Sequence, residues 1–452
     1  MAMSAEDIEV TWLAQNLKEH SIDMKKTICW FRNDLRLHDQ PVLKRFEYAK
    51  DILLLPVFCF DERLFVKTEL AFPKTGSFRT KFLIESVTNL KSNLHNLGSD
   101  LLVISGKPET ILNELALKFK ADEIYAEKED TGEEIYVEEE LRKNITIPLY
   151  FHESKTLLRT DQLPFSINNL PDIFTNFRMK IELLLDLVKI YDELIKLPPF
   201  PDDFRGHIKL IPKSFGLPEP EYDYRSVLKF IGGEDNGLKR LKKFIWQDKS
   251  ILRYKKTRNE LIGEEYSSKF SPWLANGSLS ARKIFFEVKR FEKGIEANDS
   301  TYWLLFELLW RDYFRFIAKK YGKKFFRKGG IKDQPQNYVN DFSLFEKWRT
   351  GQTGNDFVDA NMTELLKTGF MSNRGRQNVA SYLCKDLIID WRWGAAWFES
   401  QLIDYDVTSN WGNWMYVAGV GNDPRPNRYF NVEKQADRYD TNRKYRNLWL
   451  NK

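Results

Sequence analysis

Ile52-Leu53-Leu54-Leu55-Pro56-Val57-Phe58-Cys59-Phe60 is an unbroken apolar run with the length and composition of a strand buried on both faces. Four shorter runs repeat the pattern: Ile28–Phe31, Leu101–Ser105, Glu123–Ala126 and Ile147–Phe151. Between them lie segments of helical spacing, Pro41–Ala49, Gly76–Leu97, Glu109–Phe119 and Glu133–Lys143. Pro108 and Glu109 give the third of these a clear start signal. Strand–helix alternation predicts a doubly wound α/β domain with a parallel, Rossmann-like sheet over residues 27–157. The segment has no GxGxxG, so nothing local demands a dinucleotide on its first helix.

Outward from this block the character changes. Residues 1–26 are acidic and mixed, unlike a signal peptide, and read as a short helical extension. Residues 158–236 form an interdomain linker with Pro-rich stretches at Leu197–Pro201 and Pro212–Pro220, interrupted by one helix over Phe174–Leu194. Residues 237–452 read as all-helical, with apolar and aromatic stripes over Thr301–Tyr321, Arg374–Ile389 and Trp393–Ile403.

Composition narrows the classes. A chain of 452 residues fits two or three domains. Charged residues make up 30%, but the net charge is only +5, so the chain is no polycation. Basic residues crowd Lys239–Lys256 and Lys319–Lys332; solvated faces and a nucleic-acid footprint both fit. Three isolated cysteines (Cys29, Cys59, Cys384), few histidines and no HExxH argue against a metal site and for a reducing, cytoplasmic setting. No apolar run is long enough to span a membrane.

Four stretches carry candidate chemistry. Glu265–Ser280 clusters hydroxyls and amides beside Lys269 ahead of a helix, suited to phosphate or to an ordinary N-cap. Glu307, Trp310 and Arg311, at i, i+3 and i+4, would put a carboxylate, an aromatic plate and a cation on one helix face. Asn373–Asn378 is a dense polar stretch that could clamp a ligand or open a helix. Asp404–Trp414 offers Asp404 and Asp406 as hydrogen-bond acceptors, acid–base groups or caps; no further acids cluster there to make a metal site.

Each stretch is ambiguous alone, but their order is not. With Trp30–Arg36, Ser268–Leu274, Glu307–Asp312, Val358–Met362 and Asn373–Trp414, the chain resembles the photolyase/cryptochrome family. Gly419–Arg425 and Arg428–Asn431 resemble its DASH branch, and Gln377 and Trp411 add support. The resemblance runs from about residue 27 to the end.

It implies FAD in the helical domain. Tyr254, Ser267, Ser268, Lys269, Phe270 and Ser271 would surround its phosphates and ribitol; Arg311, Asn373 and Arg376 would approach it. Asp404 and Asp406 would accept its hydrogen bonds, Asp404 also countering Arg376, and Asn410 would face flavin N5. Glu307 and Trp310 match the floor of the lesion pocket, with Arg374 and Gln377 further candidates for DNA contact. An electron-refilling chain would use Trp414 and Trp391. Its third position falls on Tyr338, where most relatives have Trp, so the outer step would be slower or pass through Trp348 or Trp393. Glu109 matches a residue that touches an antenna folate, 5,10-methenyltetrahydrofolate, although it is equally an ideal first-turn helix residue.

The expected function is light-driven repair of cyclobutane pyrimidine dimers, preferably in single-stranded DNA, by a monomer. The alternative is a blue-light photoreceptor that binds nucleic acid or a partner without repair. The chain stops soon after Trp449, which weighs against a sensor with a long tail. A (6-4) photolyase would show a catalytic His pair in the pocket, yet His20, His38, His95, His152 and His207 all precede the helical domain.

Overall fold

The computed structural model describes residues 24–206, 210–425 and 428–450. Most of the expected N-terminal extension, with His20, and also His207 lie outside the described residues. Strands β1 (Lys25–Phe31), β2 (Ile52–Asp61), β3 (Leu102–Gly106), β4 (Glu123–Glu127) and β5 (Leu149–His152) form one parallel sheet in the order β3-β2-β1-β4-β5. β1 therefore takes up Lys25 and Lys26, which were expected to lie in the extension. Pro56, which has no N–H to give, sits opposite Cys29 of β1, one residue before β3 joins β2 at Val57.

Helices α1 (Pro41–Phe46) and α2 (Ser77–Asn96) cover one face of the sheet; α3 (Pro108–Phe119) and α4 (Gly132–Asn144) cover the other. Successive residues of β2 serve the two cores in turn: Leu54 and Phe58 pack with Leu43, Leu90 and Leu94, whereas Leu55 and Val57 pack with Leu112, Leu115 and Leu141. This two-sided burial is why the run is apolar throughout.

The linker helix is shorter than its pattern suggests. Helix α5 spans Phe174–Ile181, continues as a 3-10 turn over Glu182–Leu187, and then gives way to extended chain. Tertiary partners replace the helical ladder: Tyr191 N donates to Asp39 (3.1 Å), Ile195 N to Glu47 (2.8 Å) and Leu197 N to the Leu97 carbonyl (3.0 Å).

The remaining chain is helical: α6 (Glu234–Lys242), α7 (Tyr254–Thr257), α8 (Ser271–Ala275), α9 (Ala281–Gly294), α10 (Asp299–Tyr321), α11 (Phe342–Arg349), α12 (Asp356–Thr368), α13 (Asn373–Ser381), α14 (Trp391–Gln401), α15 (Val407–Ala418), α16 (Val432–Tyr439) and α17 (Lys444–Leu450). The stripe expected over Arg374–Ile389 ends sooner as helix, passing through a π-helical turn at Tyr382–Asp386. α10, α14 and α15 share one large apolar core. Close approach requires glycine there: a Cβ on Gly394 would fall inside the Trp414 ring, and one on Gly412 inside the Phe314 ring. No described helix is long and apolar enough to cross a membrane.

The stretch Arg32–Asp39 is mainly a clip between the sheet and the helices. Glu234, at the start of α6, accepts from Leu37 N (2.7 Å) and His38 N (2.8 Å). Asp39 accepts from Arg282 Nε at 2.8 Å and Arg36 donates to the Gly277 carbonyl at 3.2 Å. Gly277 has φ 72°, and any Cβ there would strike the Asn33 carbonyl.

Candidate functional site

A cavity of about 400 Å³ opens in the helical region. Helix α10 supplies one wall. Glu307, Trp310, Arg311 and Phe314 fall at i, i+3, i+4 and i+7, so one stripe of an otherwise apolar helix turns inward. The N-terminal half of α13 supplies Asn373, Arg376 and Gln377; α15 and its cap supply Asp406, Asn410, Trp414 and Tyr416.

Trp310 is clamped on its far side. Phe174 of the linker lies face to face with it, ring centres 3.7 Å apart and planes 14° from parallel. Tyr416 meets it edge-on at 5.9 Å, and the Tyr416 hydroxyl accepts from Arg428 at 3.0 Å. Glu307 is ion-paired with Arg258 and accepts from Trp303 Nε1 at 3.1 Å. Burial raises its carboxyl above the usual range, against the opposing pull of Arg258.

Opposite stands a carboxylate pair. Asp404 accepts from Arg376 (3.0 and 2.8 Å) and from Ser271 Oγ (2.6 Å), tying α8, α13 and the α14–α15 turn together. Asp406 caps α15 through Ser409 N (2.8 Å) and pairs with Arg315. Burial works against its charge, but Arg315 and Arg311 hold its carboxyl well below the ordinary range. Asn410 donates to the Ala395 carbonyl at 3.0 Å, leaving its own oxygen for the cavity.

The donor set fits a large anionic cofactor. Among the described residues Arg311 hydrogen-bonds only the Lys155 (2.5 Å) and Leu274 (3.3 Å) carbonyls and pairs with Asp312 at 3.5 Å. Burial, with Arg315 and Arg36 nearby, brings its pKa down to about 10. Gln377 Oε1 is buried without a partner. A bound anion would satisfy the first, and a bound hydrogen-bond donor the second.

Several expected positions do not line this cavity. Lys269 does not present its ammonium to the cavity. From a backbone with φ 55°, the side chain turns beneath its loop, donates to the Gly263 (3.1 Å) and Glu264 (2.8 Å) carbonyls and lies 3.5 Å over the Tyr266 ring. Arg374 faces away, held by Asn259 (3.0 Å) and stacked on Tyr439. Tyr254, Ser267, Ser268 and Phe270 are not among the residues lining this cavity, and Ser271 is tied to it by its bond to Asp404. Glu109 gives both oxygens to Arg63 (3.0 and 2.9 Å), so the carboxylate expected to touch a folate is already engaged. Trp391 and Tyr338 are outside the lining, whereas Trp414 is in it.

Four residues of consequence were not anticipated: Arg258, Tyr416, Phe174 and Arg240. Arg240 is buried under the loop of residues 264–268 and donates to the Ser268 (3.0 Å) and Ser267 (3.2 Å) carbonyls. Tyr416 carried a usable signal, since it follows Asn413 at i+3 on α15, on the same helix face. Arg258 and Arg240 are hidden within the basic run Lys239–Lys256 and its edge, where composition cannot separate a site from a solvated face. Part of that run is already paired, Lys243 with the nearby Asp248 at 2.5 Å and Lys255 with the distant Asp299 at 2.9 Å.

Comparison with known proteins agrees with this geometry. The DNA photolyase model matches residues 27–199, and the model for the FAD binding domain of DNA photolyase matches residues 303–452. A protein of Synechocystis sp. named cryptochrome DASH is 50% identical over 427 residues, covering 94% of this chain and 87% of that one. The crystal structure of a Synechocystis sp. cryptochrome superposes with a TM-score of 0.91 at 49% identity, over 95% of this chain and 89% of that one. An archaeal photolyase from Sulfolobus tokodaii, solved with two FAD molecules, gives 0.74 at 28% identity, over 94% and 90%. A sheet domain clipped to a helical FAD-binding domain, with an aromatic plate and a carboxylate in its cavity, places the chain in the photolyase/cryptochrome family, in its cryptochrome DASH branch.

Proposed function

We propose that this protein is a light-driven lyase that splits cyclobutane pyrimidine dimers, preferably in single-stranded DNA. One observation carries the reading: the lesion-facing candidates, Glu307 and Trp310, line the same cavity as the flavin-facing candidates Arg311, Asn373, Arg376, Asp404 and Asn410. FAD bound there would supply the chemistry, an electron lent to the dimer under blue light and recovered once the ring opens.

The chain's residues do the rest. Trp310, fixed by Phe174, offers a flat face to a base lifted out of the stack. Glu307, with its raised pKa and its tie to Arg258, hydrogen-bonds the base edge. Arg311 and Arg376 hold positive charge where the reduced, anionic flavin would sit. Asp404 keeps Arg376 in place. Arg425, an exposed cation of the cavity rim, meets phosphate. Flipping a base costs a few kcal/mol from a duplex and least from a single strand, which favours the latter substrate.

The test is irradiation of the reduced, flavin-loaded protein with dimer-containing single-stranded and duplex oligonucleotides. Dimer loss on single strands, slower on duplex, is expected. No light-dependent loss on either would leave a blue-light photoreceptor instead. Equal loss on both would remove the single-strand preference.

A further inference from the structure

Helix α10 carries its inward stripe on past the cavity, toward its own N-terminus at Asp299. Counting back from Trp310, the same face presents Glu307 and Phe306, and one turn further out Trp303. Phe306 belongs to the cavity lining; Trp303 does not, and it is half-buried. The two rings stack, centres 4.6 Å apart and planes 27° from parallel. The Trp303 indole N–H donates to Glu307 at 3.1 Å, which ties the outer ring to the carboxylate that faces the lesion. The linker steadies Phe306 in turn: Arg178 of α5 lies 5.7 Å over its ring and donates to the Tyr302 hydroxyl at 2.6 Å.

Phe306 apart, the groups over the Trp303 ring among the described residues are cations. Lys255 of α7 lies 4.7 Å from the ring centre and the Arg258 guanidinium 5.4 Å from it. Arg258 is committed, because it pairs with Glu307. Lys255 is loosely held: it is 39% exposed, and its partner Asp299 is 85% exposed, so water screens the pair. A half-open indole beside a loosely held ammonium has the two halves of a nucleotide subsite, a π face for a base and a cation for a phosphate. A packing role alone would need neither. A donor to Glu307 can be far smaller than an indole, and Arg258 already balances that carboxylate.

Resting on the functional reading above, we propose that Trp303 and Lys255 form a second subsite, which takes the nucleotide next to the dimer on the same DNA strand. Its base stacks on the Trp303 indole in the place of the Lys255 ammonium, and that ammonium swings to the phosphate joining this nucleotide to the dimer. From Trp303 to Trp310 is about 10 Å along the helix axis. The dimer and its neighbour cover that span at about 3.4 Å per nucleotide. In a duplex the neighbour is paired with its complement and would have to leave its own pair too; in a single strand it is free to turn over. The subsite thus puts the preference for single strands into named side chains, beyond the cost of flipping the dimer itself.

The experiment has a dark arm and a light arm, both with the flavin-loaded protein. In the dark, dimer-containing single strands carrying 2-aminopurine 5′ or 3′ of the dimer are titrated and their fluorescence is followed. In blue light, splitting of the same strands is compared with splitting of the bare dinucleotide dimer, which has no neighbour to seat. Stacking is expected to quench the 2-aminopurine on at least one side in the wild type. Trp303→Leu is expected to abolish that quenching and to lower kcat/KM on the strand roughly tenfold more than on the bare dimer. Trp303→Phe keeps a ring without the N–H and is expected to keep most of the strand's advantage, any loss through Glu307 falling equally on both substrates. Lys255→Gln is expected to lower the slope of log Kd against log salt by about 0.7 for the strand. No quenching on either side overturns the proposal. So does a loss in Trp303→Leu that is equal on strand and bare dimer, which is what positioning of Glu307 alone would give, and so does an unchanged salt slope in Lys255→Gln. A wild type that quenches the base analogue but splits neither substrate in light overturns the lyase reading and leaves the subsite standing.

Discussion

Along the seam between sheet and helices, Asp39 takes Arg282 at 2.8 Å, Arg315 takes Asp130 at 3.1 Å, and Glu234 fills its carboxylate with two backbone amides. In the cavity wall, Arg311 hydrogen-bonds two carbonyls with the Asp312 carboxylate no nearer than 3.5 Å, Gln377 Oε1 has no partner among the described residues, and Glu307 has a raised pKa. Both regions are buried, both are rich in Arg and acid, and both come from the most motif-dense stretches of the chain. They differ in how their charges are matched. At the seam each named Arg meets a carboxylate, although Arg282 Nη2 and Arg315 Nε keep no hydrogen-bond partner among the described residues, and these pairs hold the two domains together. The cavity is an open set whose missing partners belong to something that binds.

This contrast can be broken in graded steps. The largest effect is expected at the seam. Asp39→Ala strands the buried Arg282 guanidinium and should cost about 3–5 kcal/mol by denaturant unfolding. In the cavity, Glu307→Gln keeps the Trp303 contact and should change stability by less than about 1 kcal/mol, while lowering dimer repair by roughly tenfold or more. If Glu307→Gln proves as destabilising as the seam variant, the two regions are not different in kind.

A subtler probe lies in Glu399 of α14, whose pKa burial pushes up to about 7 against the pull of Lys74 and Arg79. Its folded value exceeds the unfolded one, so the folded protein keeps a proton that the unfolded chain has shed. This site's contribution to stability therefore falls as pH climbs from about 4.5 to about 7. Glu399→Gln should abolish that decline, and the wild type should lose about 1–2 kcal/mol more than the variant between pH 5 and pH 8 in urea titrations. The smallest effect is expected for the exposed Arg159–Asp161 pair: Arg159→Ala should move the unfolding midpoint hardly at all, below about 0.5 kcal/mol.

The sheet was readable because burial on both faces imposes continuous apolar runs, and Leu54 to Phe60 could be nothing else. The linker was less so. Phe174–Leu194 has helical spacing, but the amides of Tyr191, Ile195 and Leu197 find partners on the sheet domain, a choice no local pattern records. The α10 stripe was legible because i, i+3 and i+4 are one face whatever the helix packs on. Lys269 and Arg374 were placed by motif, and motif does not say which way a long side chain turns; a positive φ and an aromatic shelf decided those. Arg258 was invisible because its partner Glu307 is 49 residues away.

The ring of Phe174 has one more implication, for engineering. It belongs to the connector, yet it backs the plate on which a base would rest. Anyone trimming this protein to a minimal light-driven catalyst could not cut at the first long helix. The smallest excisable unit begins upstream of residue 174, because a shorter one would expose the reverse side of the indole and let it tilt. The tether between the domains is thus also a piece of the workbench.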